Sequence, residues 1–265
     1  MELPPYIEAR IPGDSRVVFF SDAHLESEFT AEGRERSTRV VRFLESLRGG
    51  TDVLVILGDL FDFYFEYKTV IPARHLRVMA EIERLSSAGV SCYYVAGNHD
   101  FWLGELFSRT LSVQIVPDAL VLVRESDPGH TLLAAHGDGL GSGDTGYKIL
   151  KACLRNPFLI RAFRLIHPDW GYAIARLTSH TSRRHTARWQ AARSEAAAEC
   201  GRKLLESHPR LDTVILAHTH QPDDRKFENR RYLNTGDWCS HFSWIEWTAP
   251  DRFKTQYFAG GPARG

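Results

Sequence analysis

The chain has 265 residues, room for one large domain or two small ones at roughly 150 residues each. Hydrophobic residues make up 43% and charged residues 25%, which excludes a disordered, collagen-like or fibrous chain. Thirty-three Lys and Arg balance 33 Asp and Glu, so the total charge points to no partner, whereas its distribution along the chain does.

The N-terminal text MELPPYIEAR lacks a basic region ahead of an apolar run, the pattern of a secretory signal. No apolar run approaches the ~18 residues of a spanning helix. Four widely spaced cysteines, without C-x-x-C, suggest neither a disulfide framework nor a cysteine zinc site. The expectation is a chain of the reducing cytoplasm.

The first β-rich run is Val17 to Phe20, and just after it stand Asp22 and His24. In extended chain their i, i+2 spacing sends both side chains to one side, where a carboxylate and an imidazole can grip one ion. Alone, D-x-H is common. From Arg34 to Arg48, Val40, Val41, Phe43, Leu44 and Leu47 recur at helical spacing.

A second strand, Val53 to Leu57, runs into Gly58-Asp59-Leu60-Phe61-Asp62. Glycine permits a sharp turn that brings Asp59 to the rim, where its two oxygens can bridge two ions, although a capping aspartate reads the same in isolation. A helix over Ala73 to Ala88 stops at Gly89. The strand Cys92 to Val95 leads to Gly97-Asn98-His99-Asp100, which offers a neutral amide oxygen and an imidazole beside a carboxylate.

Leu132 to Ala135 precedes His136-Gly137-Asp138, and Val214 to Leu216 precedes His218-Thr219-His220. Strand and helix alternate up to His136, which implies β-α-β crossovers on a largely parallel layer. Between these last two strands the text from 147 to about 205 is helical, a cap insertion in a chain otherwise forming one domain over 1–265. Tyr232 and Leu233 before Asn234-Thr235-Gly236-Asp237-Trp238, then Phe242 to Trp247, return to strand-like text that completes a sheet.

Each fragment sits at the C-terminal end of a predicted strand, where α/β folds place ligands. Together they supply Asp22, His24, Asp59, Asn98, His136, His218 and His220, a mixed nitrogen and oxygen set suited to Mn²⁺, Fe²⁺ or Zn²⁺. Divided between two ions that share Asp59, this set leaves each ion an open position.

The order D-x-H, G-D-x-x-D, G-N-H-D, H-G-D, H-T-H resembles the calcineurin-like metallophosphoesterases from about Phe20 to Trp238. The resemblance implies an α/β sandwich of mixed β-sheets flanked by helices. It also implies that Asp22, His24, Asp59 and His220 hold one metal and Asp59, Asn98, His136 and His218 the other. His99 would protonate the leaving oxygen, with Asp100 behind it. Two ions about 3.5–4 Å apart can acidify water and clamp phosphoryl oxygens for in-line attack. Ala217 departs from the pattern, since the family commonly has glycine before H-x-H.

Within the family, Phe63-Tyr64-Phe65-Glu66-Tyr67, His136-Gly137-Asp138-Gly139 with Gly146-Tyr147-Lys148, and the helical insertion resemble the UDP-2,3-diacylglucosamine pyrophosphatases of lipid A synthesis. Many members of that branch carry Arg where this chain has His99. The resemblance implies a UDP-linked diacylated glucosamine substrate split into UMP and a diacylated sugar phosphate, with Mn²⁺ as the expected ion.

From Lys148 to Arg193, ten basic residues meet a single acid, Asp169, a net +9 in a chain of zero net charge. Basic helices that also carry Leu159, Phe163 and Trp170 suit an acylated phosphate or an anionic membrane surface, and the chain is expected at the inner face of the cytoplasmic membrane. Tyr147, Arg183 and Arg184 are the expected substrate contacts, and no nucleic-acid partner is expected. Two other readings stand beside this one: a phosphodiesterase or nucleotide pyrophosphatase on a soluble or nucleic-acid substrate, and a non-catalytic binding scaffold. A scaffold predicts gaps in the ligand set, and there are none.

Overall fold

The computed structural model describes residues 1–26, 30–140, 151–152, 154–174 and 190–259. Tyr147, Arg183 and Arg184 lie outside the described residues.

The strands form two six-stranded sheets, the mixed sandwich that the family resemblance implies, where the alternation alone suggests one largely parallel layer. The first contains β2 (Val17–Phe20), β3 (Val53–Ile56), β4 (Ser91–Val95) and β5 (Val113–Val116), all parallel, with antiparallel β11 (Ser243–Ala249) and β12 (Arg252–Tyr257) beyond β2. The second runs in the order β1 (Tyr6–Ile11), β6 (Ala119–Arg124), β7 (Asp127–Ala135), β8 (Leu211–Leu216), β10 (Arg230–Thr235), β9 (Pro222–Phe227). Both are mixed: the first through β11 and β12, the second because β6 with β7 and β9 with β10 are antiparallel.

Alternation within the strands explains the layers, since successive side chains point to opposite faces. Phe19 and Val55 in one sheet and Leu120, Leu132 and Ile215 in the other share one buried cluster between the sheets. Their neighbours Val18, Phe20, Leu54 and Ile56 point outward, onto α1 (Ala31–Ser46) and α2 (Leu76–Ser87). On the opposite face Leu133, Val214 and Tyr232 pack against Ala198 and Leu204 of α4 (Gln190–Ser207). The result is helix, sheet, sheet, helix.

The helix α1 begins at Thr30, whose side chain accepts from the Gly33 N–H at 3.1 Å and satisfies one of the free donors of its first turn. The described part of the 147–205 segment is helical or irregular, with α3 (Pro157–Phe163) capped by Asn156 and started by a proline. Phe163 stacks on Trp102 and packs on Phe65, the Trp102 indole N–H donates to the Leu154 carbonyl, and Lys151 meets Asp138 at 2.8 Å. This part of the segment is therefore seated on Asp138 and on the residues that follow G-D-L-F-D and G-N-H-D. Its Phe158, Leu165 and Trp170 are exposed, at 74%, 89% and 72%. Among the described residues, no helix is long and apolar enough to cross a membrane.

Candidate metal centre

β2, β3 and β4 are parallel, as are β7 and β8, so the ends that carry the five fragments lie at one edge of the two sheets. Backbone bonds sew them together: Asp22 N–H to the Gly58 carbonyl, His24 N–H to the Asp59 carbonyl, and Trp238 N–H to the Asp22 carbonyl. Gly58 has φ of +77°, and a Cβ there would stand 2.6 Å from Gly97 Cα; one on Gly97 would stand 2.2 Å from Asp59 Oδ1. Only glycine allows these two turns to touch.

The i, i+2 pairs do not ride on extended chain. Asp22, His24, Asp59, His218 and His220 all have φ between +41° and +68°, the left-handed region that a non-glycine residue occupies at a cost. Five of the seven candidate donors sit on such turns just beyond their strand ends, and these turns bring their side chains together.

Two groups result. Asp22, His24 and His220 bring their nitrogen and oxygen atoms together, with His24 Nε2 and His220 Nε2 3.1 Å apart and His220 Nε2 3.3 Å from Asp22 Oδ1. Asp59, His136 and His218 form the other, with His136 Nε2 3.4 Å from Asp59 Oδ2 and 3.2 Å from His218 Nδ1. Asn98 Oδ1 joins it, 3.1 Å from His136 Nε2. Asp59 Oδ2 also lies 3.8 Å from His24 Nε2, so this carboxylate stands between the groups.

The rings of His136 and His220 are each backed by an oxygen. His136 Nδ1 donates to the Leu57 carbonyl at 2.7 Å, which leaves the Nε2 lone pair facing Asp59. His220 presents Nδ1 to Asp237 Oδ2 at 3.7 Å, and Asp237 is itself held by the N–H groups of Ser240 and His241. Asp22 Oδ2 accepts from Ser21 and from the His218 N–H, while the buried Asp22 Oδ1 has no hydrogen-bond donor. An orphaned carboxylate oxygen aimed at two imidazole nitrogens fits a cation, as does the donor set.

The electrostatics agree. Burial alone would raise the Asp22 carboxyl, but the close His220 imidazole, aided by His24 and His136, holds it well below the usual range. Burial is outweighed at Asp59 too, by His136, His99 and His24. Against burial, the Asp59 carboxylate pulls His136 up to about 10, whereas burial together with His136 and Arg193 pushes His218 down to about 3. The site attracts positive charge and divides it unevenly among its imidazoles.

His99 stands at the edge of both groups. Its Nδ1 donates to the Asp62 carbonyl at 2.8 Å, and its Nε2 lies 4.0 Å from Asp59 Oδ2. Against burial, the charges of Asp59 and Asp62 and the Asp62 carbonyl raise its pKa. The expected partner behind it is not Asp100. The buried Asp100 carboxylate accepts from the N–H groups of Asp59, Gly97 and Phe61 and from the Tyr94 hydroxyl, tying the ends of β3 and β4 together. Adjacency in sequence placed the two side chains on opposite errands, and Asp62 holds the ring instead.

Sequence reasoning also passed over Asp237, although it follows a glycine at a strand end as Asp59 does, and Arg193, whose Nη2 is 2.7 Å from His218 Nε2. Ala217, in place of the usual glycine, is not left-handed and packs its methyl in the inter-sheet core.

A model of the family described as calcineurin-like phosphoesterase matches residues 15–222. The chain is 27% identical over 249 residues to a UDP-2,3-diacylglucosamine hydrolase of Porphyromonas gingivalis, covering 88% of this chain and 94% of that one. It is 30% identical over 224 residues to a UDP-2,3-diacylglucosamine hydrolase of Nitrosococcus oceani, covering 83% and 86%. Among solved structures, a dimetal phosphatase from Danio rerio aligns over 93% of this chain and all of that one, at 13% identity and a TM-score of 0.47.

Proposed function

From the premise that the chain belongs to the calcineurin-like phosphoesterase family, we propose that this phosphoester hydrolase cleaves the pyrophosphate bond of UDP-2,3-diacylglucosamine to UMP and 2,3-diacylglucosamine 1-phosphate. The observation that carries the chemistry is the convergence of seven donor side chains from five strand ends, with Asp59 between the two groups. Asp22, His24, Asp59 and His220 would hold one divalent ion, and Asp59, Asn98, His136 and His218 the other. Mn²⁺ suits this mixed set of imidazole, carboxylate and amide donors. Such ions supply Lewis-acid stabilisation of charge on a phosphoryl oxygen and acidify water.

The protein's own part is positional. Asp59 keeps the two groups in register, and the Leu57 carbonyl fixes the tautomer of His136 that leaves Nε2 free to ligate. His99, with Nδ1–H given to the Asp62 carbonyl, carries its exchangeable proton on Nε2, on the Asp59 side of the ring, where it can be passed to the departing oxygen. Asp100 acts behind the site as a tie between loops, not as a proton relay.

The substrate rests on the named relatives and on the cap. The helix α3 and the residues around it would cover the site as a cap, while Gln190–Ser207, expected as the end of that insertion, packs on the second sheet as part of the sandwich; Tyr147, Arg183 and Arg184 are proposed as substrate contacts. The exposed Phe158, Leu165 and Trp170, beside Arg161 and Arg164, suit acyl chains with an anionic head and contact with an anionic membrane surface at the cytoplasmic face. The deciding experiment is mass-spectrometric identification of products from a panel of UDP-sugars, acylated and not, with Mn²⁺ supplied. UMP and an acylated sugar phosphate from the diacylated substrate support the reading. Equal cleavage of unacylated UDP-sugars, or cleavage of soluble diesters alone, overturns it.

A further inference from the structure

Among the described residues, one arginine reaches the ring of a candidate ligand. Arg193 enters from the first turn of α4, where the cap returns to the sheet, and its Nη2 lies 2.7 Å from His218 Nε2. Other arginines on or against this helix are neutralised: Arg202 by Glu199 and Glu206, Arg225 by Glu195. Among the described residues Arg193 has no carboxylate contact. Its hydrogen-bond partner is an imidazole whose other nitrogen, Nδ1, faces His136 and Asp59.

That arrangement conflicts with a loaded centre. An imidazole that ligates through Nδ1 keeps its proton on Nε2 and can only donate there. A guanidinium is always protonated, with five donors and no acceptor. Two donors cannot share a hydrogen bond, so once His218 Nδ1 is engaged, Arg193 faces an N–H and needs a new, anionic partner.

In a phosphoester hydrolase the anion that arrives at this edge is the substrate, and the guanidinium fork matches two phosphoryl oxygens. The reacting phosphoryl group must lie against Asp59, between the two ligand groups. Arg193 stands an imidazole's width further out, beyond His218, where a neighbouring phosphoryl group would extend.

We infer that Arg193 is a substrate-contacting, specificity-determining residue that grips the second phosphoryl group of a diphosphate and so favours diphosphates over esters with one phosphoryl group. The inference rests on the diphosphate reading above for its natural ligand, but its test does not depend on that substrate.

The test is calorimetric binding of methylenediphosphonate and of methylphosphonate to the Mn²⁺-loaded protein, with metal content measured on the same samples. Arg193→Ala should weaken methylenediphosphonate about 10- to 100-fold, the size of a charge-assisted bidentate contact. Methylphosphonate should weaken several times less. Arg193→Lys, a point charge without the fork, should restore part of the affinity. With the UDP-linked substrate the loss in kcat/KM should fall mainly on KM. Equal weakening of both anions overturns the assignment, and so does loss of metal from Arg193→Ala, which would make the arginine a support for His218. If the wild-type protein cleaves no UDP-sugar yet separates the two phosphonates through Arg193, the substrate reading fails and the role of Arg193 stands.

Discussion

Replacing Tyr94 by Phe removes one hydroxyl from the interior and leaves the ring in place. Tyr94 is fully buried on β4, and its hydroxyl donates to Asp100 Oδ2. A hydrogen bond to a charged acceptor contributes about 1.5–3 kcal/mol. In a chain of this size each kcal/mol moves Tm by roughly 2–4 °C, so the variant should melt about 3–12 °C lower near neutral pH. The pH dependence has a definite sign. Burial and the charge of Asp59 push the Asp100 carboxyl up to about 6, against the lowering pull of Tyr94 and the Phe61 N–H. The hydroxyl favours the ionised form, so its removal raises that pKa further. The destabilisation is therefore full above the folded pKa and shrinks as the pH falls through about 6, because the unfolded reference is common to both proteins. Calorimetric melts of both proteins on either side of this pKa provide the check, and elemental analysis should show weaker metal loading, since Asp100 ties the turns that carry Asp59 and Asn98. Equal melting temperatures near neutral pH, or a gap that widens in acid, would refute the reasoning.

Asp59→Ala should lose both ions together, because one carboxylate stands between the two groups; elemental analysis that finds two tightly bound metals would contradict that. His99→Ala should keep its metal and lose about 10²- to 10⁴-fold in rate, the usual contribution of a general acid, whereas metal loss would make His99 a ligand. Gly97→Ala should lower Tm and activity together, because its Cβ would stand 2.2 Å from Asp59 Oδ1 and 2.5 Å from Asp59 N; a wild-type melt would show that the two turns can part.

The candidate site is more legible in the sequence than the fold around it, and the reason is physical. Each candidate ligand fragment follows a short apolar run that is largely buried, in full at Val17–Phe20 and Val53–Ile56, so chemistry and strand ending are read from the same few residues. The second sheet hides because its edges carry weaker text. β9 reads Pro222–Phe227 with two aspartates, an arginine and a lysine, and β1 alternates exposed with half-buried positions; both are strands because of their partners. The left-handed turns at Asp22 and His218 are set by bonds across the sheet edge, as when Asp22 N–H meets the Gly58 carbonyl. Local spacing therefore predicted the right convergence for the wrong backbone reason. Asp100 shows the same limit: its neighbour in sequence is His99, but its partners include the Asp59 and Phe61 N–H groups, about forty residues away, and the Tyr94 hydroxyl of β4.

The positive φ angles at Asp22, His24, Asp59, His218 and His220 also restrict which residues can replace them. The non-glycine residues that best tolerate a left-handed backbone are Asn, Asp and His, and these same three carry the oxygen and nitrogen atoms that hard and borderline ions accept. Conformation and coordination thus draw on one short alphabet. A β-branched or bulky replacement is penalised by the turn before any ion is considered, while exchanges among Asp, Asn and His satisfy the turn and still present a donor.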